Sequence, residues 1–303
     1  MKKWFSFLCC LMLLLAMTLL AGCSPAAPTA KDNGKLNVAV SFNAMKEFTQ
    51  AVGKDKINIT TIIPDGTEPH DFQPTTNNMK ELQQANVFIY NGFGMEPWAE
   101  KTLKSIDKKD LVAVNASQGI DPIVLTDEKE RKEHGNYDPH CFLSLVNAQI
   151  EVKNIADALA KADPKNADFY QKNAADYNAQ LQQLYTEYKA KFQSVPNKQF
   201  VTGHAAFGYL CRDFGLTQTS VESVFANGEP TTQQLANLIE YCKTHHVKTI
   251  FTEDMVSPKT SQTLANEVGA SVKTIHTMES GEGSASYIDR MKEDLDKIYT
   301  SLQ

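Results

Sequence analysis

The stretch PKNADFYQKNAADYNAQLQQLYTEYKAKFQS, residues Pro164–Ser194, divides the chain into two halves. Its aromatic and aliphatic residues recur every three or four positions, which places them on one side of an α-helix. The members of this stripe are Tyr170, Ala174, Tyr177, Leu181, Leu184 and Tyr188. Asp163 and Pro164 suit a helix start, and Pro196 blocks its continuation. At 1.5 Å per residue the helix is about 45 Å long, more than the width of a small domain. The spacing therefore predicts a helix shared by two domains, with a surface helix of one domain as the alternative.

Residues 1–22 have the pattern of a secretory signal peptide. Lys2 and Lys3 form a basic start, and the apolar run over residues 8–20 is too short and wrongly flanked for a membrane span. The run ends in LAGC, Leu20–Cys23, which resembles the lipobox of bacterial lipoproteins. That resemblance implies cleavage before Cys23 and lipid on its sulfur, with an ordinary secreted protein as the alternative. Residues 23–35, rich in Pro, Ala and Thr, then form a flexible tether.

The composition argues against nucleic acid as a partner. The sequence has 30 Lys and Arg against 36 Asp and Glu, a net charge of −6, and cleavage at residue 22 would remove two of the lysines. No stretch interleaves basic with aromatic residues. Cys141, Cys211 and Cys242 lie among apolar residues, so we expect buried thiols rather than a disulfide framework.

Short β-rich runs alternate with helical runs on both sides of the central helix. The predicted strands are Leu36–Ser41, Asn58–Ile63, Val87–Tyr90, Leu111–Val114, Phe200–Gly203, Thr217–Val221, Val247–Thr252 and Val272–Ile275. This alternation predicts an α/β fold of two lobes with mainly parallel sheets flanked by helices. We place the N-terminal lobe at residues 36–163, the linking helix at 164–194 and the C-terminal lobe at 195–303.

Histidines follow the predicted strands. His70 comes a short loop after one strand, and His204 and His276 directly follow two others, while His140 lies in a loop. Ligands bind beyond the carboxyl ends of parallel strands, so these side chains are expected at one edge. Binding of one shared ligand explains the positions of these four histidines better than a separate packing role for each. Neutral imidazole is the commonest protein ligand of zinc, and four ligands complete a tetrahedral site.

Five segments together resemble the solute-binding proteins of bacterial metal-ion ABC transporters, most closely the zinc-uptake members. The segments are TEPHDFQPT (Thr67–Thr75), YDPHCFLS (Tyr137–Ser144), GHAAFGYL (Gly203–Leu210), FTEDMVSPK (Phe251–Lys259) and VKTIHTME (Val272–Glu279). The resemblance covers essentially the whole mature chain. It implies two α/β lobes joined by one long rigid helix, with the metal in the cleft between them. It also implies three metal ligands, His70, His140 and His204.

The fourth ligand stays open at this stage. Many relatives have Asp after the last strand, where this chain has His276, so we predict His276 as the fourth ligand by its location. Glu68, beside His70, is the competing candidate, and a water molecule is the third. Asp71 and Asp138 adjoin the ligands, and either could orient an imidazole.

The loop before the DPH sequence also departs from the resembled family. Zinc members often carry a long His-rich loop there, whereas Thr126–Tyr137 contains only His134. We interpret it as a solvated loop, with metal collection as the alternative.

The residues favour zinc as the metal, because imidazole-rich sites suit zinc and oxygen-rich sites suit manganese. Manganese relatives tend to have Glu where this chain has His204. The resemblance implies a monomeric lipoprotein on the outer side of the cell membrane that captures Zn²⁺ for an ABC permease and its ATPase. A manganese- or iron-binding member of the same family is the first alternative. A secreted zinc hydrolase with Glu68 as base and an adhesin are the others, but the chain has no HExxH sequence.

Overall fold

Two parallel four-stranded sheets form the framework of the computed structural model, which describes residues 34–226, 230–253, 257–281 and 283–303. The first sheet consists of β1 (Leu36–Val40), β2 (Ile57–Thr61), β3 (Val87–Tyr90) and β4 (Val112–Asn115). The second consists of β5 (Gln199–Thr202), β6 (Thr217–Ser220), β7 (Thr249–Glu253) and β8 (Ser271–Ile275). The strand orders are β2-β1-β3-β4 and β6-β5-β7-β8, so the two halves repeat one topology. All eight predicted strands are confirmed within a few residues.

Helices cover both sheets, as the alternating pattern predicts. Along the described chain they are α1 (Asn43–Gly53), α2 (Thr76–Gln84), α3 (Ala99–Ser105), α4 (Glu128–His134), α5 (Leu145–Ala162), α6 (Ala167–Ser194), α7 (Gly208–Phe214), α8 (Thr232–Thr244), α9 (Pro258–Val268) and α10 (Tyr287–Ser301). The two-lobed α/β fold is therefore confirmed. Helix α4 replaces part of the loop that we expected to be solvated and irregular.

The long central helix contacts both halves of the chain. A 3-10 turn over Pro164–Asn166 leads into α6, whose 28 residues end at Ser194. It packs against α1 and α5, which precede it in the chain, and against α7 and α10, which follow it. Asn173 donates a hydrogen bond to the Val52 carbonyl of α1 at 2.9 Å, and the buried Tyr188 bonds to Asp296 of α10. The predicted role as a helix shared by two lobes is thus confirmed.

One hydrophobic core runs through both lobes. It includes Val40 and Phe88 from the first sheet and Phe200, Phe251 and Ile275 from the second. A smaller cluster lies beneath α8 and α9 in the C-terminal half. Residues 35–303 form one compact unit. A continuous apolar core opposes independent movement of the lobes, because separating them would expose buried surface.

The cysteines of the folded part are buried and free, as predicted. The proposed signal peptide, Cys23 and nearly all of the tether lie outside the described residues. Within the residues that the structure describes, no helix is long and apolar enough to span a membrane.

Candidate metal centre

Three buried histidines and one buried glutamate come from both halves of the chain. His70 lies in the loop after β2, and His140 opens the 3-10 turn His140–Leu143. His204 lies two residues beyond β5, and Glu279 lies four residues beyond β8. Their exposed fractions are 5%, 0%, 2% and 5%, so all four are withdrawn from solvent.

Three of these side chains already have the spacing of metal ligands. The Nε2 atoms of His70 and His140 are 3.3 Å apart. Glu279 Oε1 lies 3.4 Å from His140 Nε2 and 3.9 Å from His70 Nε2. A zinc ion with ligands at about 2.0–2.1 Å would separate them by about 3.3–3.4 Å, the edge of a tetrahedron of that size. The three donor atoms lie within 4.8 Å of one another. They fit the donor set of a zinc ion.

His204 lies beside this group and comes from the second sheet. Its ring centroid lies 5.3 Å from that of His140. Its backbone N–H donates to Glu253 Oε1 at 3.1 Å, and its Nδ1 is 3.8 Å from the same oxygen. Gly203 permits this arrangement, because a Cβ at that position would collide with the Glu253 carboxylate. Glu253 therefore holds His204 in place, a role that the sequence alone did not reveal.

Asp138 orients His140. Its Oδ1 accepts hydrogen bonds from both the backbone N–H and the Nδ1 of His140, each at 2.9 Å. The Nε2 atom is consequently left to face His70 and Glu279. This is the carboxylate–imidazole contact that we expected for Asp138. Asp71, the other candidate for that contact, is exposed.

Burial and the neighbouring charges set the protonation of the cluster. Burial, and then the nearby His140, lower the pKa of His70 to about 3. For His140, burial acts in the opposite direction to its hydrogen bonds with Asp138 and Glu279, and the bonds prevail, raising its pKa to about 9. Burial likewise opposes the shift at Glu279, but His140 holds the pKa of this carboxyl well below its usual range. At neutral pH a proton on His140 therefore compensates the Glu279 charge, and an incoming cation must displace it.

The sequence matches a known family over residues 38–301, the family of ZnuA, the periplasmic component A of the zinc-uptake complex. The chain belongs to this family. The high-affinity zinc uptake system protein ZnuA of Bacillus subtilis is 38% identical over 317 residues, covering 99% of this chain and 98% of that protein. The family resemblance of the sequence is therefore confirmed, and its members are solute-binding proteins of transporters.

Solved structures of relatives share the whole fold. Zinc-bound AdcAII of Streptococcus pneumoniae, solved as a variant, has a TM-score of 0.82 and 29% identity, covering 89% of this chain and 99% of that one. The laminin-binding protein Lmb of Streptococcus agalactiae, described as an adhesin with metal-transporting activity, has a TM-score of 0.80 and 33% identity. That likeness covers 88% of this chain and 100% of Lmb.

His276, which we predicted as the fourth ligand, lies apart from the group formed by His70, His140 and Glu279. The His276 Nδ1 lies 2.8 Å from Asp294 of α10, and its backbone N–H donates to the same carboxylate. His204 is likewise not a member of that group of ligand-type side chains in the described residues. Met278, with a φ of 61°, turns the chain after β8. Glu279, rather than the residue next to the strand, consequently faces the histidines of this ZnuA-family chain.

Glu68 lies beside the cluster but outside it. Its Oε1 accepts a hydrogen bond from the His70 backbone N–H at 3.2 Å and is 4.0 Å from His70 Nε2. About a third of its side chain is exposed (33%). Burial, followed by the charge of Glu279, raises the pKa of Glu68 to about 7. A carboxyl that is partly protonated at neutral pH is a weaker competitor for a cation than Glu279.

An aromatic pair covers the His70 side of the cluster. Phe225 is 2% exposed and packs edge-on against His70, with ring centroids 5.0 Å apart. His134, the last residue of α4, stacks on Phe225 at 4.0 Å with an interplanar angle of 18°. The segment that we expected to be a solvated loop therefore packs His134 onto the wall of the site.

Proposed function

We propose that this member of the ZnuA family captures Zn²⁺ outside the cell membrane and delivers it to an ABC permease driven by a cytoplasmic ATPase. The observation that carries the proposal is the tetrahedral spacing of buried donors contributed by both lobes. His70, His140 and Glu279 have separations of 3.3, 3.4 and 3.9 Å. The high-affinity zinc uptake protein of Bacillus subtilis, which matches nearly the whole chain, supports the same metal.

The proposed ligands are His70, His140, His204 and Glu279. Glu279 would take the fourth position, which we predicted for His276, because Asp294 engages the His276 imidazole. The buried Glu279 Oε1 lies 3.4 Å from His140 Nε2 and 3.9 Å from His70 Nε2. A bound cation would replace the His140 proton as the partner of this buried carboxylate, which would otherwise be costly to leave unpaired.

Three imidazoles and one carboxylate favour zinc over manganese. Zinc accepts nitrogen and oxygen ligands in a tetrahedron, whereas manganese prefers oxygen-rich octahedral sites. One carboxylate also leaves the bound site with a net positive charge, so the donor set is less suited to the harder cation.

Four protein ligands argue for a carrier rather than an enzyme. A catalytic zinc usually has three protein ligands and keeps one position open for water. Here Glu279 would fill that position, and Glu68, the base of the hydrolase alternative, sits at the rim of the site. We therefore propose that this chain catalyses no reaction.

The protein is proposed to work as a lipid-anchored monomer. Lipid on Cys23 would hold it on the extracytoplasmic face of the membrane, and residues 23–35 would form its tether. The boundaries at residues 36–163, 164–194 and 195–303 remain our division of the folded part.

Competition titrations on the soluble chain from residue 24 test this function. We expect one tightly bound zinc ion per chain, far weaker manganese binding, and no turnover across a panel of hydrolase substrates. In cells that lack the chromosomal gene, the full chain should restore growth under zinc limitation, whereas the His204→Ala variant should not. Tight laminin binding without zinc-dependent rescue would favour the adhesin alternative.

A further inference from the structure

The loop that carries Glu279 is hydrogen-bonded to the loop that carries His70. The Gly66 N–H donates to Ser280 Oγ at 2.9 Å, and the Gly281 N–H donates to Asp65 Oδ1 at 2.8 Å. These bonds run in opposite directions between the N-terminal and C-terminal halves of the chain. The two loops are therefore joined four or five residues before His70 and within two residues of Glu279.

Asn43, the first residue of α1, forms hydrogen bonds with the loop that carries Glu279. The Asn43 backbone N–H donates to the Glu279 carbonyl at 3.4 Å, and its side-chain amide donates to the Met278 carbonyl at 3.4 Å. Asn43 is 2% exposed, so these bonds are shielded from water. The fit is close, because a Cβ on Gly281 would lie 2.7 Å from Asn43 Oδ1 and 3.0 Å from Asp65 Oδ1.

A buried ion pair fixes the far side of the loop. Arg290 of α10 is 3% exposed and donates from Nη1 to the Ser280 carbonyl at 2.8 Å. Its Nη2 pairs with Glu47 of α1, and the other oxygen of Glu47 accepts from the Tyr287 backbone N–H at the start of α10. The N-terminal lobe thus holds both the loop and the helix that follows it.

We propose that Asn43, Glu47, Asp65 and Arg290 are positioning residues for zinc binding, forming an inter-lobe clamp that holds Glu279 in its ligand geometry. The inference rests on the proposed function and adds residues that touch neither the metal nor its imidazole ligands. Residues 276–281 have no regular secondary structure, and Met278 has a left-handed backbone. Without the clamp, zinc would have to order this loop when it binds, and that ordering lowers affinity.

Asp65 is the most suitable residue for a test, since its side chain is 46% exposed and its substitution leaves the core intact. Asp65→Ala removes the acceptor for the Gly281 N–H, whereas Asp65→Asn keeps an oxygen there. Lys46→Ala is the matched control, because it breaks only the exposed 3.9 Å contact between Lys46 and Asp65. Loss of one hydrogen bond predicts about fivefold faster zinc release for Asp65→Ala. Release from Asp65→Asn and Lys46→Ala should stay near the wild-type rate.

The decisive measurement is a double-mutant cycle on zinc dissociation, followed by stopped-flow transfer of zinc to a chromogenic chelator. If Asp65 acts through Glu279, Asp65→Ala should accelerate release in the wild type but not in a Glu279→Ala background, which has no side-chain ligand to position. The melting temperature of the metal-free chain should hardly change with Asp65→Ala. A purely structural role predicts the same acceleration in both backgrounds and overturns the clamp.

The outcomes separate the clamp from the function on which it rests. If the wild type binds zinc tightly and Glu279→Gln weakens it, but Asp65→Ala releases zinc at the wild-type rate, the clamp alone is refuted. If the wild type binds no zinc, the proposed function falls as well. Gly281→Ala supplies a second variant, and its predicted collision with Asn43 and Asp65 should also accelerate release.

Discussion

Replacing Glu279 by Gln removes one charge from the proposed site while keeping an oxygen in the same place. In the wild type this carboxylate faces the His140 imidazolium at 3.4 Å, an attraction of roughly 5 kcal/mol at an effective dielectric constant of 20. A zinc dication at about 2.1 Å would attract it by roughly 16 kcal/mol on the same scale. The difference is an upper limit, because desolvation and the retained oxygen of Gln offset much of it. We expect a net loss of about 3 kcal/mol, or roughly a hundredfold weaker zinc binding.

Competition with a chelator of known affinity measures this loss, with His276→Ala as the matched variant. His276 is paired with Asp294, so its removal should change zinc affinity by less than about threefold. Glu279→Gln should also flatten the pH dependence, since it removes the carboxylate that raises the pKa of His140. Unchanged zinc affinity in Glu279→Gln, together with a large loss in His276→Ala, would refute the assignment and restore His276 as the fourth ligand.

Four further measurements test the lipid anchor, the metal site and the buried charge of the fold. Cys23→Ser should abolish incorporation of radioactive fatty acid, and persistent labelling would remove the proposed anchor. Zinc affinity should fall as pH drops from about 9 to about 5, because the pKa of His140 is raised to about 9 and its proton competes with the metal. The fall should be about tenfold per pH unit for each proton displaced. A flat profile in chelator titrations would contradict this. Zinc at a thousandfold excess over its dissociation constant should stabilise the fold by about 4 kcal/mol, and calorimetry should show most of this gain lost in His204→Ala. Burial raises the pKa of Glu151 to about 8, above its unfolded value, so this group makes the wild type lose stability as pH rises from about 4.5 to about 8. In denaturation experiments the free energy of unfolding of Glu151→Gln should exceed that of the wild type by an amount that grows from pH 5 to pH 8. A difference that is constant with pH would be inconsistent with a buried neutral Glu151.

The strands and the central helix could be predicted because their pattern is local. Each strand is a short β-rich run that breaks off at a turn, and the stripe from Tyr170 to Tyr188 repeats with helical spacing. Helix α1 was missed, although Phe48 and Val52 on it are buried. Its apolar residues Met45, Phe48 and Val52 have helical spacing and Gln50 is exposed, so the amphipathic pattern was present in the sequence.

His70 and His204 could be predicted because they follow strands that end at one edge, and His140 because its DPH sequence resembles the family. Glu279 could not, since its direction depends on the backbone turn at Met278 and on contacts from Asn43 in the other lobe. His276, directly after the strand, was the better candidate by position, but its orientation is set by Asp294 on α10. Such long-range contacts leave no periodic pattern in the sequence.

The central claim is that one zinc ion is held by three imidazoles and one carboxylate. Zinc K-edge X-ray absorption on the purified, tag-free chain, combined with elemental analysis, tests it most directly. We predict one zinc per chain, three nitrogen and one oxygen ligands at about 2.0–2.1 Å, and imidazole scattering that fits three rings. Loss of one ring in His204→Ala and retention of all three in His276→Ala would agree with it. Four imidazole rings in the wild type, with one lost in His276→Ala, would contradict it.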